Sequence, residues 1–435
     1  MTTLISMIGK GIRIGNDVRG YQKVTYSFDG GETVTTSCST NAILASGLYS
    51  IDRVVIIGTT TSAWGELLDD STEEEFDLFT RLFDSCENNE PFDVNGEYAM
   101  SLKELLQKRW MVKRVSLIAT TAALTPETAE DIYKQYIENC LGNETDFILD
   151  VTHGLRWMPM FLTSAIRYKE MVEHGVDNLR LLYAELGAGK GAIRQLDALW
   201  KGQKTAEAMT MFFDKFDPDA LVSIIPPECG RLKEAMADFA NSMQADFLMP
   251  LVWDREDKIG GDYPLGKTVK QLRNGISDVK NVIPCPIWLE AVASEMRGWV
   301  NKLQSCDYPS ERLLVLADMY AERRLWGQAV MALDVALRIF ACELYKPGRY
   351  PDWENLKANL KTLTDNLHRY AHGDFPTMTR TCVEQLDNLM HVRNKIAHGN
   401  LNSEHDVSKT QVKPNLSKQY PIYRAALDSL FDCRH

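Results

Sequence analysis

The sequence has no apolar run approaching the roughly 20 residues that span a bilayer, and its amino terminus lacks the basic start and cleavage signal of an export peptide. No membrane partner is expected, and a cytoplasmic location is. Paired metal-binding cysteines are also missing. The nine cysteines are scattered, with no Cys-x2-Cys and no histidines at zinc spacing, so reduced, mostly buried thiols are expected and no metal site. There is no Walker A sequence, and Gly9-Lys10-Gly11 has no third glycine at the spacing of a dinucleotide fingerprint. A P-loop ATPase and a hydride-transfer enzyme are therefore disfavoured. A carboxylate cluster suited to a two-metal nuclease is absent too. Finally, the chain lacks net positive charge: its formal charge of -12 argues against a broad grip on duplex nucleic acid. That charge is uneven, because from Glu311 onward 17 Lys and Arg face 15 Asp and Glu, and six of the eight histidines lie there. Any RNA contact is expected toward the carboxy terminus.

What is present is an ordinary globular composition, 45% hydrophobic and 25% charged, in a chain of 435 residues, long enough for two or three domains. Residues 3–8 read as a buried strand that ends at Gly9-Lys10-Gly11. Residues 21–28 and 33–37, joined by Asp29-Gly30-Gly31, read as a hairpin. Strands are then expected at 53–57, 112–118, 147–151 and 179–184, with helices at 39–48, 73–85, 101–110, 128–140 and 157–173 between them. Alternating apolar strands and amphipathic helices call for a parallel sheet covered on both faces, that is, an α/β fold.

Ligands of such sheets collect at the carboxyl ends of strands. The polar signatures of this chain lie there: Gly9, Lys10 and Gly11; Thr59, Thr60 and Thr61; and Thr152, His153, Gly154 and Arg156. Glycines admit close backbone approach, threonine hydroxyls can bond phosphate or ribose oxygens, and Lys10 or Arg156 can offset phosphate charge. Bland alternatives stand beside each. Asp150 either fixes the loop that follows it or meets the ligand, and His153 is either a packed turn residue or faces nucleotide. Lys10 is either solvated or a phosphate contact. Trp64 is a packed aromatic before it is a base platform.

Residues 189–309 are less readable, with helices expected at 198–213, 229–247 and 288–304 and a charged loop at 253–266. From Glu311 the chain is strongly helical, an all-α bundle with expected helices at 313–319, 325–344, 353–367, 379–398 and 420–431. The stretch from Cys382 to Asn400 has apolar residues at three- to four-residue intervals and carries Arg393, Asn394 and His398 before Gly399. On an ideal helix Arg393 and His398 point about 140° apart. Local distortion, or two helix copies meeting across a two-fold axis, would bring both into one cleft; the second arrangement requires a homodimer. His372 is a rival catalytic histidine outside the Arg-x4-His frame.

The segment R393-N394-K395-I396-A397-H398 resembles the motif of HEPN domains, helical bundles many of which are ribonucleases. D150-V151-T152-H153-G154, at the end of a strand, resembles the Asp-x-Thr-His-Gly signature of CRISPR-associated sensors with a CARF domain. Proteins of this type III accessory family join a Rossmann-like CARF domain to a HEPN domain, in the order found here. The resemblance implies a CARF domain over 1–190, a helical connector or small domain over 191–304 and a HEPN domain over 305–435. It further implies a homodimer or higher homo-oligomer, no cofactor, a cyclic oligoadenylate activator, taken as the four-membered ring, and single-stranded RNA as substrate. Cleavage would be metal-independent: the RNA 2'-hydroxyl attacks the adjacent phosphate, leaving a cyclic phosphate. His398 can move the proton, Arg393 can hold phosphate oxygens, and Asn394 can support either. DNA lacks the attacking hydroxyl. Two alternatives are a nucleotide-binding regulatory dimer with an inactive HEPN domain, and a CARF domain that degrades its own ligand.

Overall fold

The computed structural model describes residues 1–14, 18–68, 72–173, 175–187, 190–257, 262–369, 379–397 and 415–434. Its contacts divide the chain into two compact units, Met1–Gly202 and Gln203–His435.

The first unit is built on strands β1 (Thr2–Met7), β4 (Val24–Ser27), β5 (Thr33–Thr36), β6 (Arg53–Thr59), β7 (Arg114–Thr120), β8 (Asp146–Asp150), β9 (Asn178–Gly187) and β10 (Lys190–Gln195), in the order β5-β4-β10-β9-β8-β1-β6-β7. A separate small hairpin pairs β2 (Ile12–Ile14) with β3 (Val18–Gly20). The five strands from β9 to β7 run parallel. β10 is antiparallel to β9, and the β4–β5 hairpin joins through β10. β6 is buried at every residue, the mark of a strand covered on both faces. Alternation sends Leu4, Val54, Ile56 and Ile148 into one core and Ile5, Met7, Val55, Ile57 and Leu149 into the other.

Helices α1 (Ser39–Ala45), α2 (Glu73–Glu87), α3 (Glu97–Arg109), α4 (Pro126–Gln135) and α5 (Trp157–Glu173) connect these strands. The expected parallel sheet is present. Its extension by β10 is an addition, since only Gly191 and Ile193 of that strand are buried and its pattern carries little apolar signal.

Helix α6 (Asp197–Lys215) runs across the division between the units. The second unit then contains α7 (Asp219–Ile224), α8 (Gly230–Gln244), α9 (Met249–Val252), α10 (Lys267–Ile276), α11 (Ile287–Gln304), α12 (Pro309–Glu322), α13 (Trp326–Tyr345), α14 (Trp353–Arg369), α15 (Arg380–Ala397) and α16 (Leu416–Phe431). One buried cluster extends from Ala208 to Phe431. The stretch expected as a connector is therefore packed into the same unit as the carboxy-terminal helices. α13 is its axis, buried at most positions from Ala329 to Glu343, with Met331, Val335 and Arg338 half-buried along one face. Among the described residues no helix is long and apolar enough to cross a membrane.

Candidate functional site

β1 and β8 are neighbours, with Ser6 beside Asp150. Within the parallel part of the sheet, β6 and β7 lie on one side of β1 and β8 and β9 on the other, while the β4–β5 hairpin that follows β1 in the chain sits beyond β10. The next parallel strand after β1 and the next after β8 thus lie on opposite sides, and the crevice beyond the carboxyl ends of β1 and β8 is the usual ligand position of an open α/β sheet. A cavity of about 640 Å3 lies there, with Gly9, Lys10 and Gly11 on one wall and Thr152, His153 and Gly154 on another. Tyr21, Gln22 and Ser37 complete its polar lining.

Asp150 is wholly buried behind this wall. Its Oδ2 accepts from the Ser6 hydroxyl at 2.7 Å and the Ser39 hydroxyl at 2.6 Å. Its Oδ1 accepts from the Thr152 backbone N–H at 3.1 Å and the Thr152 hydroxyl at 2.6 Å. Since Ser6 spends its single proton on Asp150, the 2.6 Å contact between Ser6 and Thr40 hydroxyls is donated by Thr40. Thr152 Oγ1 in turn accepts from the Ala184 N–H at 2.8 Å. The carboxylate therefore ties β1, the first turn of α1 and the loop after β8 to β9. Of the two readings of Asp150, the structure shows the one in which it fixes the loop.

His153 stacks on Tyr21 with ring centroids 4.4 Å apart and planes 16° from parallel. Its Nε2 accepts from the Ser39 N–H at 3.5 Å, so the proton of the neutral ring is on Nδ1. Burial holds the imidazole below its ordinary pKa, against the opposing pull of Asp150. The Tyr21 hydroxyl accepts from the Gly9 N–H at 2.7 Å. Burial pushes this phenol well above the usual tyrosine range, which keeps its proton available for an acceptor in the cleft.

Gly154 has φ +90°, and a Cβ there would stand 2.9 Å from Met7 Cβ and 3.2 Å from Met158 Sδ. Only glycine fits this turn without displacement. Lys10 reaches out of the cleft to the Asn89 side-chain oxygen.

Other expected residues lie elsewhere. Thr59, Thr60 and Thr61 are not part of the cavity lining; the Thr59 hydroxyl meets Ser62 Oγ at 3.1 Å, and the Thr60 carbonyl accepts from Phe92 N–H at 2.7 Å. Trp64 is buried, stacks on Phe92 at 4.7 Å and donates to the Thr59 carbonyl; it is the packed aromatic. Arg156 is exposed ahead of α5.

In the second unit Arg393 lies on α15, its Nε 3.3 Å from Oδ2 of Asp334 on α13. Its Nη1 donates to the Asn394 side-chain oxygen at 3.1 Å. Asp334 is wholly buried and also accepts from Arg338 Nε at 2.7 Å and Nη2 at 3.1 Å. Lys395 is exposed. His398 and His372 lie outside the described residues.

Residues 3–183 match the family described as "CRISPR system endoribonuclease Csx1, CARF domain". This chain carries a CRISPR-associated CARF domain. The match takes in β1 through most of β9 and both sides of the switch point. No curated protein matches the chain. Among solved structures, "Enterococcus italicus Csm6 bound to cyclic hexa-2'-fluoro-hexa-dAMP" is similar over 100% of this chain and 94% of that one, at 12% identity and a TM-score of 0.35.

Sequence reasoning found both glycine-bearing walls of the CARF cleft. It missed Ser6, Ser39 and Thr40, whose hydroxyls sit in apolar or short helical stretches with no motif of their own. Tyr21 was read only as the start of a strand. Its role depends on a stacking partner 132 positions away, which no local pattern reveals.

Proposed function

We propose that this CARF protein is a cyclic-oligoadenylate-activated, metal-independent endoribonuclease that cleaves single-stranded RNA in type III CRISPR antiviral defence. The observation that carries the reading is the switch-point cleft. Its walls offer glycine backbone, a neutral imidazole and a phenol proton, groups that recognise a base and ribose, with Lys10 at the rim for phosphate. A two-fold dimer would present the set twice to a ligand of repeating units; we take the ring as four-membered on the resemblance alone.

Cleavage is assigned to the helical unit. Arg393 holds phosphate oxygens as charge builds, Asn394 orients its guanidinium, and His398 moves the proton of the attacking 2'-hydroxyl. The family description, a CRISPR endoribonuclease, and the Arg-x4-His frame at 393–398 support this. Activation is a shift of an existing equilibrium toward the cleaving state, driven by tighter ligand binding to that state.

The test is calorimetry with three-, four- and six-membered cyclic oligoadenylates, followed by cleavage of labelled single-stranded RNA with chelator present. Ring-dependent RNA loss is expected. Binding to no ring overturns the sensing role, and equal rates with and without ligand overturn activation. Tight binding with intact RNA points to a regulatory dimer with an inactive HEPN domain; linearised ligand points to a CARF domain that degrades it.

A further inference from the structure

A carboxylate wholly buried in a mostly apolar helix has to be paired, and Asp334 is paired twice. Arg338, one turn further along α13, donates from Nε to Oδ2 at 2.7 Å and from Nη2 to Oδ1 at 3.1 Å. This fork occupies both oxygens in the strong bidentate geometry. Arg393 arrives second. Its Nε lies 3.3 Å from Oδ2 but without hydrogen-bond alignment, and its Nη1 turns to Asn394. Arg393 is thus held by charge at the edge of a carboxylate that another arginine already grips through both oxygens, and its side chain keeps 22% of its exposure.

We propose that Arg338 is a positioning residue: by holding Asp334 in the stronger, bidentate grip, it leaves the outer edge of the Arg393 guanidinium free for a phosphate of single-stranded RNA. The inference rests on the assignment of Arg393 as the phosphate-binding group. Asp334 is both anchor and competitor for that group, and Arg338 sets which. Without Arg338 the buried carboxylate has one guanidinium left within reach. Arg393 then turns its fork inward, and the phosphate loses its partner.

The experiment uses the full-length protein with cyclic tri-, tetra- and hexaadenylate present together, and a single-stranded RNA as substrate. Arg338→Leu is expected to lower kcat/KM about tenfold or more. Binding of the same RNA with 2'-deoxy residues, which cannot be cut, should weaken, and its log–log salt slope should fall by about 0.7 for one lost phosphate contact. Arg338→Lys, with one point of attachment, should lie between. The deciding variant is the double Asp334→Asn/Arg338→Leu. A neutral amide oxygen still accepts one bond from Arg393 Nε but does not compete with phosphate, so rate and salt slope should recover to near wild type.

A purely structural role predicts the opposite, because the double variant strips the whole pair from the core and should fall at least as far as the single one. Failure of the double to recover while Arg338→Lys remains folded overturns the inference, as does an unchanged salt slope in Arg338→Leu. If the wild type cuts RNA and Arg393→Ala abolishes cutting, the parent reading survives that failure. If Arg393→Ala cuts normally, both fall.

Discussion

Asp150 and Asp334 are both wholly buried carboxylates, one in each unit, and they are satisfied in opposite ways. Asp150 is surrounded by neutral donors, three hydroxyls and one backbone N–H. Asp334 is met by two guanidinium groups. A carboxylate stabilised by neutral dipoles keeps its charge but fixes geometry, since each donor is part of the wall it supports. One met by two cations holds them unequally, Arg338 through two hydrogen bonds and Arg393 through charge alone. The first carboxylate therefore fixes one arrangement of the cavity wall, and the second balances two cations.

The sharpest break between the two is Arg393→Ala. Removing a preorganised cation from developing phosphate charge is expected to lower activated RNA cleavage by about 10²- to 10³-fold. Cyclic nucleotide binding should be unchanged, because the cleft is built only from residues of the first unit. His398→Ala should lose comparable rate, whereas His372→Ala should not. Single-turnover cleavage, calorimetry and sizing on all three variants check this. Full activity in folded Arg393→Ala protein defeats the assignment, and strict dependence on divalent metal defeats its metal-free form.

Next in size is Asp150→Ala, which reverses the pattern. The Ser6, Ser39 and Thr152 hydroxyls and the Thr152 N–H lose their acceptor inside the protein, a cost of about 1–3 kcal/mol for each group left unsatisfied, reduced by local relaxation. Unfolding in denaturant should show a loss of about 3 kcal/mol on that scale. Nucleotide affinity should fall with it, because the 152–154 loop loses its tie to β1 and α1. Wild-type stability would show that the network is dispensable.

Gly154→Ala tests the same wall more locally. At φ +90°, with Met7 Cβ at 2.9 Å, an added methyl is expected to cost about 1–3 kcal/mol in backbone strain. Gly9→Ala is the control, since its Cβ would meet Gly154 and the Tyr21 hydroxyl at an ordinary 3.4 Å or more. Equal melting temperatures for the two variants would contradict the turn.

The parts of this molecule that were legible in sequence are those with a local period. β1, β6, β7 and β8 announce themselves as buried apolar runs, α5 and α13 as helices, and the Asp150 loop as a strand end followed by glycine. The cleft position followed from strand order, which the alternation of elements implies. What was not legible depends on partners far apart in the chain. Asp150 and Ser39 are 111 residues apart, and Arg393 meets Asp334 across 59 positions. The shared core of α8, α11 and α13 was hidden for the same reason: each helix shows an apolar face, and nothing in its sequence says which other face it meets. Thr59 to Thr61 lie off the cavity lining, and the Thr59 hydroxyl meets Ser62 within its own loop, a pairing that the sequence alone does not reveal.

The smallest expected effect concerns His153 and separates the two sites by their response to pH. Its ring titrates below the ordinary histidine value because it is buried between Tyr21 and the Ser39 backbone. Protonation would also put a hydrogen on Nε2, the atom that accepts from Ser39 N–H. Between the depressed folded pKa and the unfolded value of about 6.5, the unfolded chain binds more protons, so stability rises with pH through that window. The contribution is complete above the unfolded value and is lost as pH falls through the folded one. NMR titration of the His153 ring should therefore give a pKa below that of an unfolded reference peptide. His153→Gln, which cannot titrate, should flatten the decline in stability on the acid side. A ring that titrates at or above the reference value would mean that the Asp150 charge outweighs burial. The cleft would then carry a cation of its own, and the contrast between the neutral donors around Asp150 and the guanidinium groups around Asp334 would no longer separate the two units.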